Sequence, residues 1–166
     1  MRIAVIGAGA MGSIYGGHLS LHNDVYLIDT NQTVVDHINQ NGLILQEDGK
    51  DVTYHPTAVT STQGIEPVDL VILFVKSLFS KAALSNNQGI IGPNTYLMTL
   101  QNGSGHEDIL AEFASESRII IGTTEDNGAV LGLGHVRRGG SGKTNIGMLT
   151  EDKENFLAKL KECLDS

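Results

Sequence analysis

Three glycines near the start of the chain have the spacing of a dinucleotide-binding loop. Gly7, Gly9 and Gly12 follow the order G-x-G-x-x-G, directly after the apolar run Ile3–Ile6 and before a predicted helix at Ser13–Leu21. In such a loop the first glycine permits a tight turn, the second lets a pyrophosphate approach the backbone, and the third lets the helix pack closely on the strand. The helix N-terminus adds free N–H groups and a partial positive charge. The predicted cofactor-binding loop consists of Gly7, Ala8, Gly9, Ala10, Met11 and Gly12.

Asp29 bears on which dinucleotide would bind. It ends the second apolar segment, Val25–Ile28, about 20 residues after the middle glycine, where an acidic side chain accepts the ribose hydroxyls of NAD. A 2′-phosphate about 4 Å away would be repelled by about 1 kcal/mol in water and by about 4 kcal/mol at an effective dielectric of 20. No lysine or arginine lies between Arg2 and Lys50 to offset that repulsion. The local chemistry therefore favours NAD(H).

Two further polar side chains follow predicted central strands. Lys76 comes directly after the nearly unbroken apolar run Val68–Val75, and Asn102 follows the predicted strand Thr95–Leu100 within the sequence Leu-Gln-Asn-Gly. The carboxyl ends of parallel strands meet at the edge where α/β proteins bind ligands. An ammonium there suits a ribose or a carboxylate, and an amide suits a carboxamide or a hydroxyl. Each residue also has an ordinary interpretation, as a solvated lysine at a strand end and as an Asn-Gly turn.

Strand and helix patterns alternate along most of the chain. The run Val68–Val75 suits a strand covered on both faces, while Gln32–Gln40, Gly105–Phe113 and Glu151–Leu164 have helical spacing. The glycine-rich region Thr123–Gly147 does not follow this alternation, and its pattern favours antiparallel strands joined by tight turns. Further predicted elements are a hairpin formed by Leu43–Gln46 and Val52–Tyr54, a helix at Ser77–Leu84 and a strand at Arg118–Ile121. The pattern predicts an α/β fold of the Rossmann type, with a doubly wound, mainly parallel sheet and some antiparallel strands near the C-terminus.

Length and charge narrow the class of protein further. A chain of 166 residues suits one dinucleotide-binding domain over residues 1–166. A net charge of -8 argues against non-specific binding of nucleic acid, and no run approaches the ~20 apolar residues of a membrane span. Cys163 is the only cysteine, so no disulfide can form within the chain and a reducing compartment is expected. We therefore expect a cytoplasmic protein that does not bind nucleic acid or membranes.

Other candidate groups have weaker signals. His18 and His22 are four residues apart, as metal ligands on a helix can be, but no third ligand has matching spacing, so we predict a helix surface and no metal site. Arg137, Arg138 and Lys143 form a basic cluster that a phosphate could meet. A solvated hairpin is the favoured interpretation of that cluster.

Four features together resemble a known family. They are the glycine loop, Lys76, the segment Leu100–Gly103 and the segment Gly142-Lys143-Thr144-Asn145-Ile146-Gly147. Their order and spacing resemble the N-terminal domain of the ketopantoate reductase (2-dehydropantoate 2-reductase) family over essentially the whole chain. Many dehydrogenases share the glycine loop, whereas the other three features are far more specific.

The resemblance implies a reaction and roles for particular residues. It implies NAD(P)H-dependent reduction of a 2-keto acid to a 2-hydroxy acid, with ketopantoate as the substrate in pantothenate biosynthesis. Lys76 and Asn102 would line the nicotinamide side of a cleft, with Asn102 also placing the substrate. Gly128, in the loop after the strand ending at Ile121, would lie beside the cofactor. The family typically uses NADP(H), whereas Asp29 makes NAD(H) the alternative, as in similar enzymes that act on branched keto acids.

The resemblance also implies a second domain. Family members have a helical C-terminal domain that supplies the general-acid lysine and most substrate contacts, and this sequence stops at Ser166, where that domain would begin. General acid catalysis typically contributes ~100- to 10,000-fold, so we expect this chain to bind dinucleotide with little turnover by itself. Exposed apolar surface would favour a homodimer. Two alternatives remain, an NADH-dependent D-2-hydroxyacid dehydrogenase of branched-chain keto acids and a non-enzymatic dinucleotide-sensing module.

Overall fold

A seven-stranded sheet organises the computed structural model, which describes residues 1–100, 106–140, 144–152 and 155–165. In chain order the described strands are β1 (Arg2–Ile6), β2 (Asp24–Ile28), β3 (Leu43–Glu47), β4 (Lys50–Tyr54), β5 (Thr57–Val59), β6 (Leu70–Leu73), β7 (Tyr96–Thr99), β8 (Ile119–Thr124), β9 (Asn127–Gly132), β10 (His135–Gly140) and β11 (Thr144–Met148). The described α-helices are α1 (Ala10–Leu19), α2 (Gln32–Asn41), α3 (Ser80–Asn86), α4 (His106–Ala111) and α5 (Phe156–Asp165). Within this part of the chain the main sheet has the order β11-β8-β7-β6-β1-β2-β5.

The main sheet confirms the predicted fold class. Its strands are parallel except for β11, which pairs antiparallel with β8. From β1 the chain first builds outwards through β2 to β5, and then returns to add β6, β7 and β8 on the other side of β1. This reversal of strand order next to β1 is the topological switch point of a doubly wound sheet, where ligands bind beyond the carboxyl ends of the strands.

Helices cover both faces of the main sheet. Because successive side chains of a strand point to opposite faces, Ile3 and Val5 of β1 pack in the buried cluster that contains α1 and α5, while Ala4 and Ile6 pack in the cluster that contains α3 and α4. Strands buried on both faces need apolar residues at every position. The continuous apolar run at Leu70–Leu73 meets that requirement, since all four residues of β6 are buried.

Helix α1 is enclosed on nearly all sides by the main sheet and a second, smaller sheet. The smaller sheet has the order β4-β3-β10-β9. A Cβ atom added to Gly16 would lie 3.3 Å from the side chain of Leu27 in the main sheet, and one added to Gly17 would lie 2.9 Å from Leu45 in the smaller sheet. The two glycines therefore let α1 fit closely between the sheets, which explains why its sequence lacks an amphipathic pattern.

The smaller sheet differs in part from the sequence prediction. The β3–β4 hairpin is confirmed, as are antiparallel pairings between β9 and β10 and between β8 and β11. However, β10 also pairs in parallel with β3, so the hairpin and the glycine-rich region form one sheet. Strand β5 was not predicted, because a three-residue edge strand is too short to show a periodic pattern.

Several element boundaries also shift. The predicted helix at Ser77–Leu84 begins as a 3-10 turn before α3 starts at Ser80. Helix α5 starts at Phe156 rather than at Glu151, because the Asp152 carboxylate accepts hydrogen bonds from the backbone N–H groups of Phe156 and Leu157, at 2.9 and 3.0 Å. Of the helices in the described ranges, none is long and apolar enough to cross a membrane.

Candidate functional site

The three glycines of the loop play three different physical parts. Gly7 has a φ of +107°, and an added Cβ would lie 2.7 Å from the carbonyl oxygen of Phe74, so only glycine forms this turn without strain. A Cβ on Gly12 would overlap the carbonyl oxygen of Gly7, so this glycine is what lets α1 begin against the end of β1. At Gly9 an added Cβ would meet nothing within 4 Å. The structure thus leaves open space at the position where the sequence predicts a pyrophosphate.

The start of α1 provides hydrogen-bond donors at this open space. Gly9 is the N-cap residue, and no described side chain caps the helix. The first N–H groups of a helix have no partner within the helix, and they carry its partial positive charge. The Ser13 hydroxyl donates to the carbonyl oxygen of Ala8 at 3.2 Å, which connects the first turn of α1 to the loop. This arrangement has the chemistry of an anion site and no acidic residue in the first turn to oppose it.

Asp29 connects the loop to the end of β2. The backbone N–H of Ala8 donates to one oxygen of its carboxylate at 3.0 Å, and the N–H of Asn31 donates to the other at 2.9 Å. The N–H of Asp29 itself donates to the carbonyl oxygen of Val59 at the end of β5. A carboxylate has about four lone-pair sites, so each oxygen keeps room to accept a further hydrogen bond. The half-buried Asp29 side chain is therefore fixed in place and still able to receive hydroxyl groups.

A cavity of about 600 Å³ lies beside the loop, at the carboxyl ends of β1, β2 and β5. Its lining residues are Ile6, Gly7, Ile28, Asp29, Thr30, Thr60, Ser61, Val75, Phe79, Ala82, Ala83, Asn86 and Asn87. The volume falls within the range of ligand pockets, and mainly apolar walls with a few polar groups are typical of them. Phe79 is 55% exposed, which leaves it available to a flat aromatic ligand. Phe79 could not be recognised from the sequence, because it is one aromatic residue in an otherwise ordinary helical segment.

The other predicted site residues have three different outcomes. Lys76 is exposed just beyond the end of β6, at the same edge of the sheet as the loop, as its position in the sequence predicts. Asn102 lies outside the described residues. Gly128 is within β9 rather than in a loop, because β8 continues to Thr124 and only a short turn separates the two strands. A Cβ on Gly128 would lie 2.8 Å from Ile14, so this glycine brings β9 close to the first turns of α1.

Several polar groups beyond the loop serve to hold α1. The Tyr15 hydroxyl lies 2.6 Å from the hydroxyl of Thr144 and donates to that of Thr124 at 3.0 Å, so Thr144 of the family-like segment ties β11 to α1. His18 contacts the Glu47 carboxylate on β3, and is therefore in a polar contact rather than on a free helix surface. Burial, together with the negative charge of Glu47, raises the pKa of the nearby Tyr54 hydroxyl.

The prediction that the basic cluster is solvated is wrong for one of its residues, Arg138. The Arg138 side chain is only 23% exposed and forms an ion pair with Asp126 at 2.9 Å. Its Nη1 atom lies 4.0 Å from a carboxylate oxygen of Glu47, so two carboxylates lie close to this guanidinium group. Arg137 is exposed as expected, and Lys143 lies outside the described residues. Alternate residues of a strand face opposite sides, which explains the different surroundings of the two neighbouring arginines.

Together these features define a class of protein. A doubly wound sheet, a glycine loop opening α1 and an acidic residue at the end of β2 are the elements of a Rossmann-type NAD(P)-binding domain. Comparison with known proteins gives the family. Residues 3–151 match the family model described as "Ketopantoate reductase PanE/ApbA", and the chain belongs to this family of oxidoreductases.

Individual relatives agree with this assignment. The chain is 34% identical over 169 residues to the 2-dehydropantoate 2-reductase of Lactococcus lactis subsp. lactis, in a match that covers 99% of this chain and 54% of the relative. For the 2-dehydropantoate 2-reductase of Pyrococcus horikoshii the identity is 36% over 164 residues, covering 98% and 52%. A ternary structure of D-mandelate dehydrogenase with NADH and anilino(oxo)acetate superimposes with a TM-score of 0.91 at 36% identity, covering 99% and 54%. The chain spans about half the length of the curated relatives it matches.

The contact between Gly12 and Gly7 leads to a stability prediction. Gly12→Ala places a methyl group on the Gly7 carbonyl oxygen and forces α1 away from β1, so we expect the free energy of unfolding in urea to fall by about 1–3 kcal/mol. Gly89→Ala is the matched control, since an added Cβ there meets nothing within 4 Å and its φ is not in the left-handed region. Equal stability of the two variants would contradict the close packing described here.

Proposed function

We propose that this chain is the cofactor-binding half of an NAD(P)H-dependent reductase that converts a 2-keto acid to a 2-hydroxy acid. Family membership supports the class of reaction. The observation that carries the proposal is the fixed position of Asp29, which holds the glycine loop by the Ala8 N–H and also lines the neighbouring cavity. A purely structural turn would need neither a carboxylate open to the cavity nor free space at Gly9.

Each part of the dinucleotide has a proposed place. The pyrophosphate would lie over Gly9 against the free N–H groups of α1, and the adenosine ribose would donate its hydroxyls to Asp29. The adenine would occupy the cavity, with Phe79 as one wall. Lys76 and Asn102 would line the nicotinamide side and orient the keto acid. When bound, the nicotinamide supplies a hydride from its C4 atom to the keto carbon.

We propose a preference for NADH over NADPH. A 2′-phosphate would stand beside the Asp29 carboxylate, with a repulsion of about 1–4 kcal/mol over the range of dielectric that applies near a protein surface. Among the described residues that line the cavity there is no lysine or arginine to neutralise that phosphate. The similar D-mandelate dehydrogenase was solved with NADH, which supports the same choice. NADP(H), implied by the family as a whole, is the alternative that the titration below would detect.

The proposed substrate is ketopantoate, with a role in pantothenate biosynthesis, as the names of the curated relatives support. A second candidate is an NADH-dependent D-2-hydroxyacid dehydrogenase, favoured by Asp29 and by the likeness to D-mandelate dehydrogenase. Because the chain spans about half of its relatives, we propose that it binds dinucleotide with little turnover by itself. We also propose a cytoplasmic location, no binding of nucleic acid, and self-association into a dimer.

Titration of the chain with each nucleotide tests the cofactor proposal. We expect calorimetry to show NADH binding at least about 5-fold more tightly than NADPH, which corresponds to about 1 kcal/mol of repulsion. Asp29→Asn removes the charge and should reduce this ratio. Asp36→Asn makes the same charge change at an exposed position on α2 and should leave the ratio unchanged. Tighter binding of NADPH would contradict the preference, and binding of neither nucleotide would contradict the site.

Phe79 provides a separate test of the adenine position. Phe79→Ala removes one wall of the cavity, and we expect the Kd for NADH to rise about 5- to 10-fold, in line with about 1 kcal/mol for an aromatic contact. Leu78→Ala is the control, because the neighbouring Leu78 side chain is 84% exposed and does not line the cavity. An equal effect of both variants, or no effect of either, would place the adenine elsewhere.

A further inference from the structure

One face of the segment 79–86 lines the cavity in which we place the adenine. Phe79, Ala82, Ala83 and Asn86 are all among the residues that line it. The last three belong to α3, and Phe79 immediately precedes this helix. The four positions have the i, i+3, i+4, i+7 spacing of side chains that share one side of a helix. The face therefore carries an aromatic ring at one end, two small methyl groups in the middle and an amide at the other end.

Two neighbouring asparagines at the end of α3 differ in how their amides are used. The Asn87 side chain is buried, its Oδ1 atom accepts from the Thr62 hydroxyl at 2.7 Å, and its Nδ2 atom donates to the carbonyl oxygen of Ala83 at 2.7 Å. Asn86 is exposed and lines the cavity, and within the described part of the chain its amide has no hydrogen-bond partner. Asn87 is therefore structural, whereas Asn86 keeps both a donor and an acceptor for a ligand.

The hydrogen bond between Thr62 and Asn87 holds two sides of the cavity together. Thr60 and Ser61, which directly precede Thr62, line the side that follows β5, and Asn87 lines the side formed by α3. Both partners of the hydrogen bond are buried, which strengthens it relative to one exposed to water. The end of α3 that carries Asn86 therefore has a defined position before a ligand binds, which lowers the ordering cost of binding.

We propose that Asn86 recognises the adenine of the dinucleotide, with its amide oxygen accepting from the N6 amine and its amide nitrogen donating to N7. Asparagine pairs with adenine in this bidentate way because a donor and an acceptor stand side by side on both groups. Asp29 lines the same cavity, so a base attached to a ribose held by Asp29 enters the space that Phe79 and Asn86 line. The inference rests on the proposed function and adds a base-specific contact to it.

This contact makes the site selective for adenine over other purines. Hypoxanthine, like guanine, has an oxygen in place of the N6 amine and therefore presents two acceptors, O6 and N7, along the same edge. One of these acceptors must then face the amide oxygen of Asn86, whichever way the amide is turned. A good bidentate pair gives roughly 5- to 150-fold discrimination between bases. Because Asn86 is exposed, we expect a value near the lower end of this range.

Calorimetric titration of the full chain with NADH and with reduced nicotinamide hypoxanthine dinucleotide tests this contact. The second nucleotide differs from NADH at the base, where an oxygen replaces the N6 amine. We expect the unaltered chain to bind NADH at least about 5-fold more tightly. Asn86→Leu replaces the amide by an apolar group of similar size, so the Kd for NADH should rise until the two nucleotides bind about equally well. The Tm of each variant establishes that the fold is intact.

Gln88→Leu is the matched control. It makes the same change from an amide to leucine at an exposed residue two positions further along, which does not line the cavity, so the preference for NADH should remain. Thr62→Val removes the hydrogen bond between the two sides of the cavity and leaves the Asn86 amide in place. We expect this variant to bind both nucleotides more weakly by a similar factor, because it alters the shape of the cavity and not the contact with the base.

The ratio of the two Kd values separates recognition of the base from a role in shaping the cavity. If Asn86 acted only through the shape of the cavity, Asn86→Leu would weaken both nucleotides alike and keep the ratio, and that result would overturn the proposal. Equal affinity of the unaltered chain for the two nucleotides would overturn it as well, while leaving the cofactor site in place. Binding of neither nucleotide would contradict the proposed function together with this contact.

Discussion

The close approach of α1 to the end of β1 is the constraint on which the rest of the structure depends. It is possible only because Gly12 has no Cβ to meet the Gly7 carbonyl oxygen. Once α1 starts there, its N-terminus faces the carboxyl edge of the main sheet, and its further glycines at 16 and 17 let both sheets close around it. The same short helix therefore presents N–H groups to a ligand and joins the two sheets. In that position nearly the whole helix is buried.

Asp29 has a structural role in the loop and, in the proposed function, a second role in binding the ribose. Its carboxylate accepts hydrogen bonds from Ala8 and Asn31 and so fixes the loop before any ligand is present. Preorganisation of this kind lowers the ordering cost of binding, because the loop does not have to rearrange. The acidic side chain at this position is the basis of the proposed preference for NADH. The same residue that stabilises the loop would discriminate against a 2′-phosphate.

The sequence predicted those elements whose signals lie within a few neighbouring residues. The apolar run at Ile3–Ile6, the glycine spacing and the position of Lys76 each placed a feature at the correct edge of the sheet. The parallel pairing of β10 with β3 could not be predicted, because it joins residues about ninety positions apart and leaves no periodic signal in either strand. The sequence analysis placed Gly128 in a loop because it ended the preceding strand at Ile121 instead of Thr124. It did not identify Phe79, because the position of Phe79 depends on how α3 packs beside the cavity.

The central claim is that the glycine loop and Asp29 together bind the dinucleotide, and amide NMR during titration with NADH tests it most directly. The account predicts the largest chemical-shift changes at the backbone N–H groups of the loop residues Ala8 to Gly12 and at Asn31, whose N–H donates to Asp29. Smaller changes should follow around Phe79 in the cavity. Saturable binding with the largest changes elsewhere, for instance on the β9–β10 hairpin alone, would contradict the account, as would a loop that shows no response to NADH.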